Sequence, residues 1–275
     1  MSEFLQHAPS HRAVRVWVRH LVMYRTWFVA EWAGSLTEHA LYLLAFGYGL
    51  GHFVPDMGGM PYAQFIGPGL VVSIAMWSAS YEATYGAYSR MRIQHTYEGM
   101  LSAPLTVRDV VLGDLLWCAS RSLIGAVLML IVLTAFGLVG SPWAVAVLPV
   151  VFIEGLMFAG LGLIATAIAP SYAFFNFHNS LIVMPMFFFA ETFFPLQGLP
   201  PWMQAVSQAM PLTHAVVLSR GLIVHGQAPD AAWHLLMLSA FTLAFLAVAC
   251  GLVGRRGSSS SRPRREGRGA APPSP

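Results

Sequence analysis

The chain has 275 residues, of which 56% are hydrophobic and only 10% are charged, and its mean hydropathy is +0.62. Soluble domains average about 25% charged residues, so this composition excludes an ordinary water-soluble domain and favours a protein embedded in a bilayer. The Lys and Arg total of 15 consists of arginines alone. A phosphate-binding P-loop requires a lysine, so the chain by itself is not an ordinary P-loop ATPase.

The arginines gather in the N-terminal segment, in one internal connection and in the C-terminal tail. These clusters are Arg12, Arg15, Arg19 and Arg25; then Arg90, Arg92 and Arg108; and last the arginines from Arg255 to Arg268. Because arginine is retained on the cytoplasmic side, the clusters predict a multi-pass protein of the bacterial inner (plasma) membrane with both termini in the cytoplasm. Topology and anionic lipid headgroups explain the net charge of +3, and we expect no nucleic acid partner.

Residues 1–27 are basic, with interleaved Val, Trp and Leu. This composition predicts a cytoplasmic N-terminus containing an amphipathic helix that lies in the membrane interface. The first predicted span, residues 28–51, carries Glu31 and Glu38 on one helical face. Carboxylates that face lipid are costly, so we expect this face to meet protein or water.

The second predicted span, residues 62–89, carries aromatic side chains on one face toward its cytoplasmic end. Tyr81, Tyr85 and Tyr88 follow one another at helical spacing, with Glu82 beside them. Packing between helices, together with an aromatic belt at the membrane interface, is the favoured interpretation. A platform for stacking sugars is the alternative.

The connection over residues 90–110 is the longest cytoplasmic loop between predicted spans. It mixes charged residues with Tyr97, Met100, Leu101 and Leu105. A short amphipathic helix there would present an apolar knob to whatever lies below the membrane.

The remaining spans are predicted at residues 115–140, 143–169, 172–194 and 231–253. Residues 195–229 are too interrupted by proline and glycine to form one span, and they suit two periplasmic half-helices that enter the bilayer and return. The tail, residues 255–275, is rich in Ser, Pro and Arg and is expected to be disordered. The predicted fold is thus an all-α polytopic membrane protein with six transmembrane helices in a membrane domain at residues 28–254.

Ionisable residues inside the spans are the main indication of function, because each membrane carboxylate costs about 2.5 to 3.5 kcal/mol unless it is paired or hydrated. Either these carboxylates join helices, protonated where isolated, or they line a polar translocation pathway. Glu154, among glycines, is interpreted as structural, and Glu38, Glu82 and Glu191 are pathway candidates. The 10 histidines form no metal-binding motif, so neither a metal site nor a catalytic residue is predicted.

Four stretches resemble the ABC type-2 exporter permeases and, within them, the nodulation-type branch that exports lipo-chitooligosaccharides. Together the stretches sample nearly the whole membrane domain, and the resemblance rests on their order and spacing. The stretches are EHALYLLAFGYGLG (38–51), YAQFIGPGLVVSIAMWSASYEATYGAYSRM (62–91), YEGMLSAPLTVRDVVLGDLLW (97–117) and FFPLQGLPPWMQAVSQAMPLTHAVVLSRGLI (193–223).

The resemblance implies a permease that pairs with a second permease copy, expected to be identical, and with two cytoplasmic ABC ATPase subunits. ATP and Mg would bind those subunits, so no cofactor is expected in this chain. The cargo would be a lipooligosaccharide or related glycolipid, moved outward through membrane lipid.

The same resemblance implies that the interface helix and the first cytoplasmic loop contact the ATPase, and that the re-entrant pair maps to residues 199–223. The ATPase-coupling residues would be Tyr97, Glu98, Met100, Leu101, Leu105 and Arg108. The substrate pathway candidates are Glu38, Trp77, Tyr81, Glu82, Tyr85 and Glu191.

Two alternatives stay open. The first, in the same class, is export of a hydrophobic drug or toxin. The second is an intramembrane enzyme that uses Glu82, His178 or Glu191. Activity that depends on an ATPase partner would argue against the enzyme.

Overall fold

The computed structural model describes residues 12–54, 56–57, 59–228 and 230–260. Within these ranges the regular elements are helices, apart from one isolated bridge between Met57 and Met60. The all-α prediction is therefore confirmed. The last helix extends to Ser260 and residues 261–275 lie outside the described residues, so the disorder of the tail stays a prediction.

The first half of the fold contains an N-terminal helix, three long helical runs and a short helix between the last two runs. In chain order these are α1 (Arg12–Tyr24), α2 (Phe28–Tyr42) with a π-helix (Leu43–Gly49) and a 3-10 turn (Leu50–His52), α3 (Tyr62–Tyr81) with π-helical turns (Glu82–Gly86 and Ser89–Ile93), α4 (Thr96–Leu101) and α5 (Val107–Ala135).

The second half contains one long helix, a broken helix, two short helices and a final long helix. In chain order these are a 3-10 turn (Pro142–Ala146) and α6 (Val147–Ile168), α7 (Phe174–His178) with a π-helix (Asn179–Val183), α8 (Met184–Phe189), a 3-10 turn (Leu196–Gly198), α9 (Pro201–Gln208), α10 (Pro211–Arg220) with a π-helix (Gly221–His225), and α11 (Ala231–Ser260).

Four helical runs of the described chain are long and apolar enough to cross a membrane: Tyr62–Ile93, Val107–Ala135, Pro142–Ile168 and Ala231–Leu252. The chain is therefore an integral membrane protein. The fifth predicted span appears as the shorter apolar helix Phe174–Phe189. The first predicted span is helical as well, but Glu31 and Glu38 lower its hydropathy, so the count of six spans stays a prediction.

Helix α5 begins at Val107, earlier than the predicted start at residue 115. The Thr106 hydroxyl accepts a hydrogen bond from the Asp109 backbone N–H, and the Asp109 carboxylate accepts one from the Thr106 N–H at 2.9 Å. This reciprocal cap satisfies backbone groups that the first helical turn leaves without partners. The connection that precedes α5 is therefore shorter than predicted.

The core is built around α3, α5 and α6, which pack on one another, and α11 packs mainly on α6. Glycines allow two of these contacts to be close, as small residues do between membrane helices. A methyl group at Gly155 of α6 would lie 2.8 Å from Ser122 Oγ of α5. One at Gly162 would lie 2.6 Å from the Cβ of Ala83, which follows α3.

Hydroxyl groups join the same helices through backbone carbonyls. Ser122 Oγ donates to the Ala75 carbonyl at 2.8 Å, and Thr166 Oγ1 donates to the Ala83 carbonyl at 2.7 Å. Hydrogen bonds of this kind stabilise helix pairs in lipid by about 0.6 to 2 kcal/mol each. The middle of the subunit is thus a filled bundle.

Candidate functional site

Helix α1 packs along α5 through one buried face. Ala13, Val16 and His20 form this face, and Trp17 Nε1 donates a hydrogen bond to Ser120 Oγ at 2.9 Å. Burial of this face fixes the interface helix to the end of α5 that lies next to α4.

A chain of polar side chains connects α1 and α2 with α3, α4 and α5. We call it the Asp114 network, and its members are His20, Glu31, Glu82, Arg90, Tyr97, Asp114 and Arg121. Asp114 is fully buried at its centre. Asp114 Oδ1 lies 2.6 Å from His20 Nε2 and 3.6 Å from Arg90 Nε, and Oδ2 accepts a hydrogen bond from the Tyr97 hydroxyl.

The network continues away from Asp114 with alternating charge. Arg90 Nη1 donates to Glu82 Oε1 at 2.6 Å, and Glu82 Oε2 lies 3.9 Å from Arg121 Nε. Arg121 also pairs with Glu31, and its guanidinium lies 4.8 Å from the centre of the Tyr24 ring. Each buried charge therefore has a partner of opposite sign, as burial requires.

The predicted coupling residues divide into an inward and an outward group. Tyr97 and Met100 of α4 are buried against Val16 and Val110, and Leu105 packs at the edge of this cluster. Burial raises the pKa of Tyr97 well above its usual value, and the negative charge of Asp114 raises that pKa further. The hydroxyl therefore keeps its proton and donates to Asp114.

The outward group is on the other side of α4. Leu101 is 39% exposed and the Glu98 side chain is 77% exposed. Arg108 is half-buried in the first turn of α5. The apolar surface that α4 offers to a partner therefore consists of Leu101, while Met100 faces the bundle.

An aromatic row runs along one side of the subunit, and consecutive ring centroids are 5.0 to 6.3 Å apart. Its members, in spatial order, are Tyr42, Phe46, Phe193, Phe187, Trp77, Tyr81, Tyr85 and Tyr172. Tyr81 is 49% exposed and Tyr42 is 40% exposed. Ring pairs at this separation stabilise one another by about 0.5 to 1.5 kcal/mol. The row is thus an ordered surface whose faces are partly accessible.

An open cavity of about 700 Å³ adjoins the row on α2, and Glu38, Tyr42 and Phe46 are among its lining residues. Glu38 and Tyr42 are close enough to Tyr81 to interact with it electrostatically. The structure therefore brings four predicted pathway residues to one side of the subunit: Glu38, Trp77, Tyr81 and Tyr85.

Wide helical turns border this same surface. The π-helical segments Leu43–Gly49, Glu82–Gly86 and Asn179–Val183 belong to the three helical runs that carry the aromatic row or flank it. Such turns are rare and occur frequently at functional sites.

The other two pathway candidates lie in ion pairs at opposite ends of the α3 run. Glu82 belongs to the Asp114 network described above. Glu191 has a positive φ of 63° and pairs with Arg220 of α10, whose Nη1 donates to Glu191 Oε1 at 3.2 Å.

We call the surroundings of this second pair the Arg220 cluster. Arg220 Nη2 donates to the Glu191 carbonyl at 2.6 Å and Nε donates to the Phe65 carbonyl at 3.2 Å. Its guanidinium lies 3.9 Å from the centre of the Phe65 ring. The neighbouring Ser219 Oγ donates to the Pro68 carbonyl at 2.9 Å. These bonds fasten α10 to the first turns of α3.

Sequence reasoning missed three features of these sites. Asp114 was not among the candidate residues, and Arg220 was not paired with Glu191, from which it is separated by 29 positions. His214 and His234 form a close pair with their Nδ1 atoms 2.9 Å apart, although they are 20 positions apart in sequence. Among the described residues, no group of three or more His, Cys, Asp or Glu side chains could hold a metal ion.

Comparisons with known proteins agree with the resemblance noted in the sequence. Residues 14–224 match the family model for the ABC-2 type transporter. Nodulation protein J of Sinorhizobium fredii (strain NBRC 101917 / NGR234) is 34% identical over 243 residues, which cover 88% of this chain and 93% of that protein. Nodulation protein J of Rhizobium meliloti (strain 1021) is 31% identical over 243 residues, with the same coverage.

A relative outside the nodulation group matches as well. The inner membrane transport permease YadH of Escherichia coli (strain K12) is 25% identical over 211 residues, which cover 75% of this chain and 76% of that protein. The family model spans most of the helical bundle, including the Asp114 network and the aromatic row. The chain therefore belongs to the ABC-2 type transporter family and is a membrane permease component.

Proposed function

We propose that the chain is the permease subunit of an ABC exporter that moves a lipooligosaccharide or related glycolipid across a bacterial inner membrane. Two permease copies act with two cytoplasmic ATPase subunits, which bind ATP and Mg. Each copy crosses the membrane six times with both termini in the cytoplasm, and α9 and α10 form the re-entrant pair. The family membership and the nodulation proteins among the relatives support this proposal.

The observation that carries the cargo class is the exposed aromatic row beside Glu38. Aromatic faces pack against the apolar faces of sugar rings, and a carboxylate accepts hydrogen bonds from sugar hydroxyls. The row lies at the side of the bundle, so a lipid tail attached to the sugars can stay in the bilayer. A cargo with sugars at one end and an acyl chain at the other matches both features.

The Asp114 network supports a route by which the ATPase acts on this surface. Leu101 and Glu98 of α4 are exposed to a partner, while Tyr97 of the same helix bonds to Asp114. Asp114 in turn contacts Arg90, which follows the row on the α3 run. Movement of α4 thus reaches α3 through side chains in direct contact, and two arrangements of this bundle would alternate.

Reconstitution with the ATPase subunit tests the cargo. Candidate glycolipids are added and ATP hydrolysis is measured. Tyr81→Leu should raise the half-stimulating glycolipid concentration about tenfold, which corresponds to about 1.4 kcal/mol of lost stacking. Tyr48→Leu is the matched control, because Tyr48 is 45% exposed but contacts Phe136 outside the row.

Three outcomes would contradict the proposal. Stimulation by hydrophobic drugs but by no glycolipid would favour the drug or toxin exporter. Equal effects of Tyr81→Leu and Tyr48→Leu would remove the row from the pathway. Chemistry performed on a substrate without the ATPase would favour the intramembrane enzyme.

Cysteine labelling tests the membrane topology. A side chain added at Gly99 or at Gly198 would meet no atom within 4 Å, so Gly99→Cys and Gly198→Cys should fold normally. In a background lacking Cys118 and Cys250, a membrane-impermeant maleimide should label Gly198→Cys in cells whose inner membrane is intact. Gly99→Cys should react only after that membrane is opened, and the reverse pattern would refute the proposed orientation.

A further inference from the structure

Helix α1 presents three distinct sectors around its axis. Successive residues are rotated by about 100°, so side chains three or four positions apart share a sector. One sector is the buried face on α5. A second is apolar and 39% to 59% exposed, and consists of Val14, Val18, Leu21 and Val22. The third is basic and consists of Arg12, Arg15 and Arg19.

The order of these sectors fixes how α1 meets the membrane. The exposed apolar sector lies opposite the face on α5, so it turns toward acyl chains. Val18 and Val22 lie next to Arg15 and Arg19 on the helix surface, because they are separated by three or four positions. The basic sector therefore lies at the edge of the apolar sector, at the level of the lipid headgroups.

A cavity of about 280 Å³ lies between the basic sector and the α4–α5 connection. Its arginine wall is Arg12, Arg15 and Arg19, and its facing wall consists of Met100, Ala103, Pro104 and Leu105. Arg12 Nη1 donates to the Pro104 carbonyl at 2.6 Å, which joins the two walls. Among the residues that the structure describes, those that line the cavity include no acidic side chain.

We propose that this cavity binds the phosphate group of an anionic phospholipid of the cytoplasmic leaflet. The guanidinium groups of Arg15 and Arg19 supply the fork geometry that matches phosphate oxygens. Val18 and Val22 receive the start of the acyl chains beside them. An occupant that meets arginines in the cavity and apolar side chains at its rim is charged at one end and hydrocarbon at the other.

An acidic segment of the ATPase is the competing occupant, and the sector order argues against it. A cytosolic segment would reach the arginines without covering the exposed valines next to them. A phospholipid covers both at once. The bound lipid also contacts the connection that carries Leu105, so it holds α1 and the α4–α5 connection together.

The test uses the full-length permease in nanodiscs of phosphatidylcholine, with or without phosphatidylglycerol at about 3:1. Phosphatidylglycerol retained after detergent delipidation is measured by mass spectrometry. The double variant Arg15→Gln with Arg19→Gln should bind it about 30-fold more weakly, since each basic side chain contributes about 1 kcal/mol. Arg25→Gln, on the same basic segment but outside the cavity, is the matched control and should retain the lipid.

Conservative variants keep the test decisive if the double variant folds poorly. Arg15→Lys with Arg19→Lys should retain most binding, because the charge remains while the fork geometry is lost. The inference is overturned if phosphatidylglycerol binding by both double variants equals that of the parent. It is also overturned if inorganic phosphate occupies the cavity equally well in phosphatidylcholine alone, or if the Gln variant retains the lipid and loses the ATPase instead.

Discussion

The Asp114 network and the Arg220 cluster lie at opposite ends of the α3 run, and both pair carboxylates with arginines. Glu82 follows Phe65 by 17 positions, which is about 26 Å along a helix axis. Arg220 bonds to two backbone carbonyls, that of Phe65 in α3 and that of Glu191, which follows α8. Asp114 instead meets three side chains from three different elements.

This difference indicates that the Asp114 network can rearrange more readily than the Arg220 cluster. The Phe65 carbonyl cannot turn away without unwinding α3, so we expect the Arg220 cluster to act as a fixed clamp. Side-chain partners can exchange by rotation about a few bonds, and the members of the Asp114 network already offer alternative partners to one another. We therefore expect mutations in the Arg220 cluster to lower the stability of the permease. Mutations in the Asp114 network should weaken the coupling of transport to ATP hydrolysis.

The largest expected effect is that of Arg220→Met. It leaves Glu191 as an uncompensated, largely buried charge and removes the donors for the Phe65 and Glu191 carbonyls. Breaking a buried pair costs about 3 to 5 kcal/mol, so thermal unfolding in detergent should begin at a markedly lower temperature. Arg220→Lys should lose less. An unchanged unfolding temperature for Arg220→Met would show that the Arg220 cluster does not stabilise the contact between α10 and α3.

Asp114→Asn should have a smaller effect on stability and a large one on coupling. The amide oxygen still accepts from Tyr97, but the charge that faces Arg90 and His20 is gone. Losing one charged hydrogen-bond acceptor costs about 1 to 3 kcal/mol. Transport by the reconstituted complex should fall about tenfold or more, the equivalent of 1.4 kcal/mol or more.

The result is compared with Arg220→Lys, which keeps the charge at its own site, whereas Asp114→Asn removes it. Asp114→Asn could lower the unfolding temperature and leave transport per folded molecule unchanged. In that case the proposed difference in role between the Arg220 cluster and the Asp114 network is wrong.

Leu101→Glu should uncouple transport with no effect on folding. Leu101 is exposed on α4, so a charge there changes stability by about 0.5 kcal/mol or less. The same charge would interrupt the proposed apolar contact with the ATPase, so cargo-dependent ATP hydrolysis should be lost while the permease is inserted normally. The test measures the amount of the variant in the membrane together with its ATP hydrolysis. Normal export by this variant would exclude Leu101 from the contact.

Glu98→Gln should have the smallest effect. Glu98 pairs with the exposed His95, which directly precedes α4, at 3.2 Å, and exposed pairs contribute about 0 to 1 kcal/mol. Export, hydrolysis and unfolding should all match the parent protein. A loss as large as that of Leu101→Glu would mean that the ATPase recognises charge on α4 rather than its apolar side chain.

The helical runs could be predicted from the sequence because hydropathy and proline positions report directly on length and environment. The start of α5 was misplaced because Asp109 and Asp114 lower the local hydropathy over its first turns. The spacing of Thr106 and Asp109 is a helix-start signal that would have corrected the boundary.

The sites were predictable only in part. Glu38 was singled out from the cost of a membrane carboxylate, and Tyr81 and Tyr85 from helical spacing, which are local properties. Their place in a substrate pathway stays a prediction. The partners that Glu82 and Glu191 find on distant helices, Arg121 and Arg220, were not predicted, because their pairing depends on packing. The inward orientation of Met100 likewise depends on Val16, which belongs to a different helix.

The glycine contacts between α3, α5 and α6 have a consequence for any cargo. At Gly155 and Gly162 even one added carbon would overlap a neighbouring helix, so the centre of the subunit has no width to offer a sugar chain. Passage at the flank means that an acyl tail never has to leave the hydrocarbon phase while its head crosses. Tail length would then matter far less to such a carrier than the size and stiffness of the head.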